Sequence, residues 1–308
     1  MQPIRGILIS TLAPLENHIA NGGDKLLGNA SSIKKGPDGR VYISGQMQRH
    51  ALFSAMRELN FDDEHRGDTF VSNGDGITDE VERDLRADMG GFLHTSAGSY
   101  SGRRISPISV TPAEALHESA IGQDLLIRLK ANEDDSSKSQ ALATLEYSQA
   151  DLMLMNFHLD VGNLSTSKRY EYENEMNVGV NYAKHAPDAE RKRRARLFLE
   201  SVFRLQDYAK QGRNAVSAEP QRVLIVLDPV LSRKAIRYFK AGETEKNNLL
   251  KELQHRGAKV IVGDDTQGDK SVFEALEEAK TFLAENPLFD PTQGEDEILT
   301  YKEAFNIA

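Results

Sequence analysis

Apolar residues recur along the chain in two rhythms. Continuous apolar runs at 5–13 ("RGILISTLA"), 150–161 ("ADLMLMNFHLDV"), 222–228 ("RVLIVLD") and 258–264 ("AKVIVGD") read as strands, the first and third of them buried. Helical spacing appears in Met47, Leu52, Met56 and Leu59, with Ala51 and Ala55, behind the capping residue Ser44. It returns across 187–210, where Ala195, Leu197, Phe198, Leu199, Val202, Phe203 and Leu205 form the stripe. Further helices are expected at 78–89, 246–256 and 271–285. Residues 103–110, "RRISPISV", alternate like a strand, with Pro107 favouring an edge or a bulge. Residues 32–35 and 41–43 suit a hairpin closed by Pro37, Asp38 and Gly39. The stretches 14–29 and 131–141 read as polar loops, and 163–186 as an extended insertion.

The order strand, helix, strand, strand, helix, strand is that of a split βαβ unit. The fold class expected is therefore α+β: a ferredoxin-like or RRM-like core in one domain, 1–308, with insertions at 61–100 and 163–186. A doubly wound nucleotide enzyme built on 222–228 and 258–264 is the competing fold. It lacks the glycine-rich turn that such a site uses.

Composition narrows the function. The 308 residues contain no cysteine, which excludes disulfides and thiolate zinc sites. No apolar run approaches the ~20 residues of a membrane span, and the N-terminus lacks a signal-peptide pattern, so a cytoplasmic protein is expected. The net charge of −9 argues against an indiscriminate polyanion binder. Its distribution is uneven: residues 61–100 hold 3 basic against 10 acidic side chains, and 161–240 hold 16 against 9. One basic face on an acidic body fits this alternation. So does a solvated helix at "ERKRRARLFLE".

Catalytic patterns are weak. "NGGDKLLGN" lacks P-loop order, and "GSYSG" places Tyr100 where a nucleophile elbow needs serine. No histidine pair has helical metal-site spacing. An endoribonuclease using His18, His50 and His158, or a metal site at Asp264, Asp265 and Asp269, stays an alternative. A mixture suited to holding single-stranded RNA is better represented. Lys34, Lys35, Arg49, Arg103 and Arg104 offer charge to phosphates. Asn29, Ser31, Gln46 and Gln48 offer neutral donors to phosphate and sugar oxygens. Tyr42, His50, Tyr100, Tyr170 and Tyr172 offer flat groups for bases.

Three blocks in order, "GNASSIKKGPDGRVYISGQMQRHALFSAM", "RRISPISVTPAEAL" and "LEYSQADLMLMNFHLDVGNL", resemble the DevR family of CRISPR-associated proteins. The resemblance covers about residues 5–60 and 103–165. It implies the repeated, non-catalytic backbone subunit of a type I Cascade surveillance complex, without a cofactor or a metal. An RRM-like palm would carry helical fingers near 61–100 and a hairpin thumb near 163–186. Copies would stack along CRISPR RNA (crRNA), beside other Cascade subunits, and leave bases free to pair with target DNA. Guide contacts are then expected at Asn29, Ser31, Lys34, Lys35, Gln46, Gln48, Arg49, His50, Arg103 and Arg104. Lys168 and Arg169 would join them from the thumb. Type III relatives cut RNA with a loop aspartate; only Asp24 matches that by position, and by no motif.

Overall fold

The four continuous apolar runs become neighbouring strands of one sheet. The computed structural model describes residues 2–26, 30–95, 101–130, 139–294 and 297–307. Strand β1 (Gly6–His18) leads through the short strands β2 (Asp24–Lys25), β3 (Ser31–Ser32) and β4 (Tyr42–Ile43) into helix α1 (Gly45–Asp62). A short helix α2 (Leu85–Gly90) precedes β5 (Phe92–Thr95), β6 (Ser101–Arg104), β7 (Ile108–Val110) and β8 (Ala113–Ala115). Next come β9 (Ile121–Lys130), the 22-residue β10 (Ser139–Asp160), and the strands β11 (Thr166–Glu173) and β12 (Met176–Lys184). The chain continues with α3 (Asp188–Ser201), β13 (Arg222–Asp228), α4 (Glu243–His255), β14 (Lys259–Asp264), α5 (Val272–Glu285) and α6 (Tyr301–Phe305).

The fold is α+β. In the main sheet β14, β13, β1 and β10 are neighbours in that order, and β7 and β8 lie on the far side of β10. Each of these pairings is antiparallel. The register Ile9↔Phe157 and Ile9↔Ile225 puts those three side chains on one face. That face packs on α1, α3 and α5 through Leu52, Phe198 and Ala279. The opposite face carries Leu8, Leu224 and Val226 and is covered by Ala235, Leu249 and Leu253 from a 3-10 segment (Lys234–Lys240) and α4. Apolar burial on both faces is why β1 and β13 read as unbroken apolar runs. Among the described residues, no helix is long and apolar enough to cross a membrane.

Several local expectations differ from the fold. The hairpin expected at 32–35 and 41–43 reduces to one bridge, Lys35↔Val41. Asn21 wedges between its arms, its amide donating to the carbonyls of Lys34 and Tyr42 at 3.0 and 3.1 Å. The helix expected at 78–89 starts only at Leu85, because the Asp84 carboxylate caps it by accepting from the backbone of Arg86 at 2.9 Å. Residues 103–110 break into β6 and β7 on either side of Pro107. The helix expected across 187–210 ends at Ser201. Residues 163–186 hold a two-stranded hairpin, β11–β12, and β9 pairs with the first half of β10 as a second arm that the sequence reading left unassigned. Much of the polar loop expected at 131–141 lies outside the described residues.

Candidate nucleic-acid interface

Helix α1 turns two faces to two different environments. Gln48, Ala51, Leu52, Ala55 and Met56 point to the sheet, while Gln46, Arg49, His50 and Phe53 point toward α2. The second set lines a cleft of about 450 Å³, closed by the loop 72–78 and by Arg86, Ala87 and Gly90 of α2. Its two guanidiniums share one ring: Arg86 lies 4.8 Å and Arg49 5.9 Å from the centroid of Phe53. Arg49 donates to the Gly90 carbonyl at 2.7 Å and to the Ser106 hydroxyl at 3.2 Å. The Nε of Arg86 has no hydrogen-bond partner.

Burial pushes the pKa of both arginines down. For Arg86, Asp84 and Asp75 oppose the shift, while Arg49 and Arg57 deepen it. Positive charge is thus concentrated and incompletely offset, a setting that an added anion relieves. The backbone favours glycine at position 74, and any side chain there would also displace the end of Arg86. The φ of Gly74 is +88°, and a Cβ at that position would stand 2.7 Å from an Arg86 Nη.

The cleft collects Gln46, Arg49 and His50 from the expected contacts. Gln46 is exposed; His50 is exposed too, 3.1 Å from the Asp207 carboxylate. Ser31, Lys34 and Lys35 do not line it. Ser31 is half-buried on β3, Lys34 stands 3.6 Å from Asp24, and Lys35 is exposed beside the turn. Lys168 and Arg169 stand on the β11–β12 hairpin. Lys168 is exposed, 5.0 Å from the Tyr170 ring, and Arg169 donates to Asn181 at 2.8 Å. The backbone of Arg103 pairs with Leu93. Asn29 and Tyr100 lie outside the described residues.

Two expected contacts are structural side chains. Gln48 is 0% exposed and accepts from the Tyr208 hydroxyl at 3.0 Å. It sits four residues before Leu52 and eight before Met56, on the row that meets the sheet. Arg104 is buried and spends all five N–H groups internally. They reach the Asp88 carboxylate and carbonyl, the carbonyls of Asn163 and Thr166, and the Ser167 hydroxyl.

Asp88, fully buried on α2, is the other half of this junction. It accepts from Arg104, from Arg194 at 2.7 Å, and from the backbone and hydroxyl of Ser165 at 2.9 and 2.7 Å. Burial alone would raise its pKa; the guanidiniums of Arg104 and Arg194 overcome that and hold it below the ordinary carboxylate value.

The register holds two of the candidate histidines apart. His158 pairs opposite Leu8, ten residues from His18 along β1, so the two stand about 33 Å apart. His18 is buried against Asp151 at 2.6 Å. Asp264 accepts from the Thr266 backbone at 2.8 Å and Asp265 from that of Val272 at 2.8 Å, as a polar strand-to-helix connection does. Among the described residues, no group of three or more His, Cys, Asp or Glu is arranged to hold a metal ion. Arg86 is the cleft residue that the sequence reading missed. It lies in an acidic stretch, and nothing in its spacing distinguishes it.

A family model described as "CRISPR-associated negative auto-regulator DevR/Csa2" matches residues 27–240. No curated protein matches the chain. Among solved structures, the chain is similar to a chain of a "CRISPR RNA-guided surveillance complex". Identity is 14% and the TM-score 0.55, over 91% of this chain and 99% of that one. It is also similar to a chain of a "CRISPR RNA-guided surveillance complex, pre-nicking", with 13% identity and a TM-score of 0.53, over 90% and 99%.

Proposed function

Because the chain belongs to the CRISPR-associated DevR/Csa2 family, we propose that it is a non-catalytic backbone subunit of a type I Cascade surveillance complex. In this reading it holds crRNA by the sugar-phosphate strand and leaves the bases to pair with target DNA. Base pairing reads the sequence, and the protein supplies geometry. The antiparallel core of β13, β1, β10 and β7–β8 serves as a ferredoxin-like palm, residues 61–100 as fingers and 163–186 as a thumb. Copies of the chain stack along the guide beside other Cascade subunits.

The observation that carries the RNA reading is the Arg49–Arg86 pair over Phe53. Two half-buried guanidiniums, one with a buried and unpartnered Nε, line an open cleft beside exposed Gln46 and His50. A phosphodiester supplies the charge that this arrangement lacks, and it does so without a nucleophile or a metal. Outside the cleft, Lys35 and Lys168 add exposed charge.

The test is titration of the purified protein with unrelated single-stranded RNAs at about 50 mM and about 200 mM salt. Affinity falls steeply with salt and varies little with base sequence. Absence of binding at the lower salt refutes the reading. Cleavage of the RNA, with or without magnesium, refutes its non-catalytic part.

A further inference from the structure

One carboxylate joins two regions that the sequence separates widely. Asp88 follows Arg86 by two residues on the helix that floors the cleft. The same side chain holds the root of the β11–β12 hairpin through the Ser165 backbone and hydroxyl. Arg104 repeats the link. It binds Asp88 on one side and, on the other, the Thr166 carbonyl at 2.7 Å and the Ser167 hydroxyl at 2.8 Å. From the second strand's end, His185 meets that hydroxyl at 2.8 Å, so both ends of the hairpin root are tied. Ser165 itself has φ +54°, a left-handed conformation that serine adopts only where its surroundings dictate it.

A surface contact would not need this much burial. Asp88 and Arg194 are fully buried and Arg104 nearly so, and every Arg104 donor is used. Removing charged groups from water is costly, and the arrangement is stable only while the partners stay in register. A satisfied buried network of this kind favours one arrangement of its parts over others.

We infer that Asp88 is a positioning residue that fixes the cleft and the hairpin in one rigid geometry, so that both grip a single RNA strand at a set separation. This rests on the RNA-binding reading above. Two contacts on one strand reinforce each other when the spacing between them is preset, because the second forms at high effective concentration. A loose junction would leave each contact intact and lose the reinforcement.

The experiment compares wild type with Asp88→Asn and with Ser165→Ala, which deletes the hydroxyl's contacts with Asp88 and Arg194, leaves the backbone link, and covers the case in which Asp88→Asn fails to fold. In the absence of RNA, hydrogen exchange of 85–93 and of 166–184 is expected to accelerate together. Acceleration in only one segment, or in neither, overturns the coupling. Affinity is then measured for an RNA of about 30 nucleotides and one of about 3, and the long-over-short ratio is expected to fall by about tenfold in the variants. The short RNA is expected to bind within about twofold of wild type. Equal loss for both lengths assigns Asp88 a purely structural role and overturns the inference. If wild type binds no RNA at all, the functional reading fails, while the exchange result still decides whether the two regions are coupled.

Discussion

The cleft and the junction contain the same chemistry in opposite states. Both bring arginines beside α2, the cleft at Arg86 and the junction at Asp88. At the junction each guanidinium has carboxylate and carbonyl partners, and Arg104 leaves no donor free. In the cleft, Arg86 rests on a phenyl ring with an unpartnered Nε, and Arg49 and Arg57 add to its charge. A guanidinium count therefore says little about ligand binding; the number of donors left over says more. The junction's arginines have their donors spent inside the fold, while Arg86 in the cleft keeps one that is not.

The largest expected effect tests the junction half. Asp88→Ala strands the buried guanidinium of Arg104, takes one of two carboxylates from Arg194, and is expected to cost about 3–5 kcal/mol in denaturant unfolding. A loss below about 1 kcal/mol would mean that the pair is not held as tightly as its burial requires.

The next effect is pH dependence. Burial pushes His185 down to about 4, with Arg104 adding to the shift. Burial and Arg233 do the same to His158. Both are neutral in the folded chain near pH 5, while the unfolded chain takes up protons from about 6.5 downward. Stability contributed by each is complete above pH 6.5, declines as the pH falls, and levels off below about 4. Between pH 7.5 and 5, each is expected to remove on the order of 2 kcal/mol. Thermal melts across that range check it, and His185→Gln is expected to flatten the curve.

The cleft half of the comparison is tested by smaller changes in binding. Arg86→Ala is expected to weaken RNA binding on the order of tenfold. It is also expected to lower the salt-dependence slope by about 1 while leaving the melting temperature nearly unchanged. A large stability loss with unchanged affinity would move Arg86 into the junction's class. Gln46→Ala, which removes one neutral donor, is expected to cost about threefold in affinity, uniformly across RNA sequences.

Much of the core was legible because its signals are local. The runs at β1, β10, β13 and β14 and the helical stripes at α1, α3 and α5 need only their own neighbours to be read. The site was less legible. Gln48 could have been set apart from Gln46 by its position four residues before Leu52. Arg104 could not, because the groups that claim it sit 16 and about 60 residues away and meet it only through the fold. Arg86 was hidden for the same reason: Phe53 and Arg49 reach it across the packing of α1 on α2. The short reach of the 32–43 hairpin turned on one distant amide, that of Asn21.

Strand β10 has a further consequence. It contains neither glycine nor proline, and its 22 residues extend about 70 Å along the backbone. One end pairs with β9 as an arm, and the other supplies Met153, Met155 and Phe157 to the core. A push on the arm therefore meets no built-in joint before it reaches the centre of the molecule. Whatever leans on that beam bears directly on the layer against which α1 is braced.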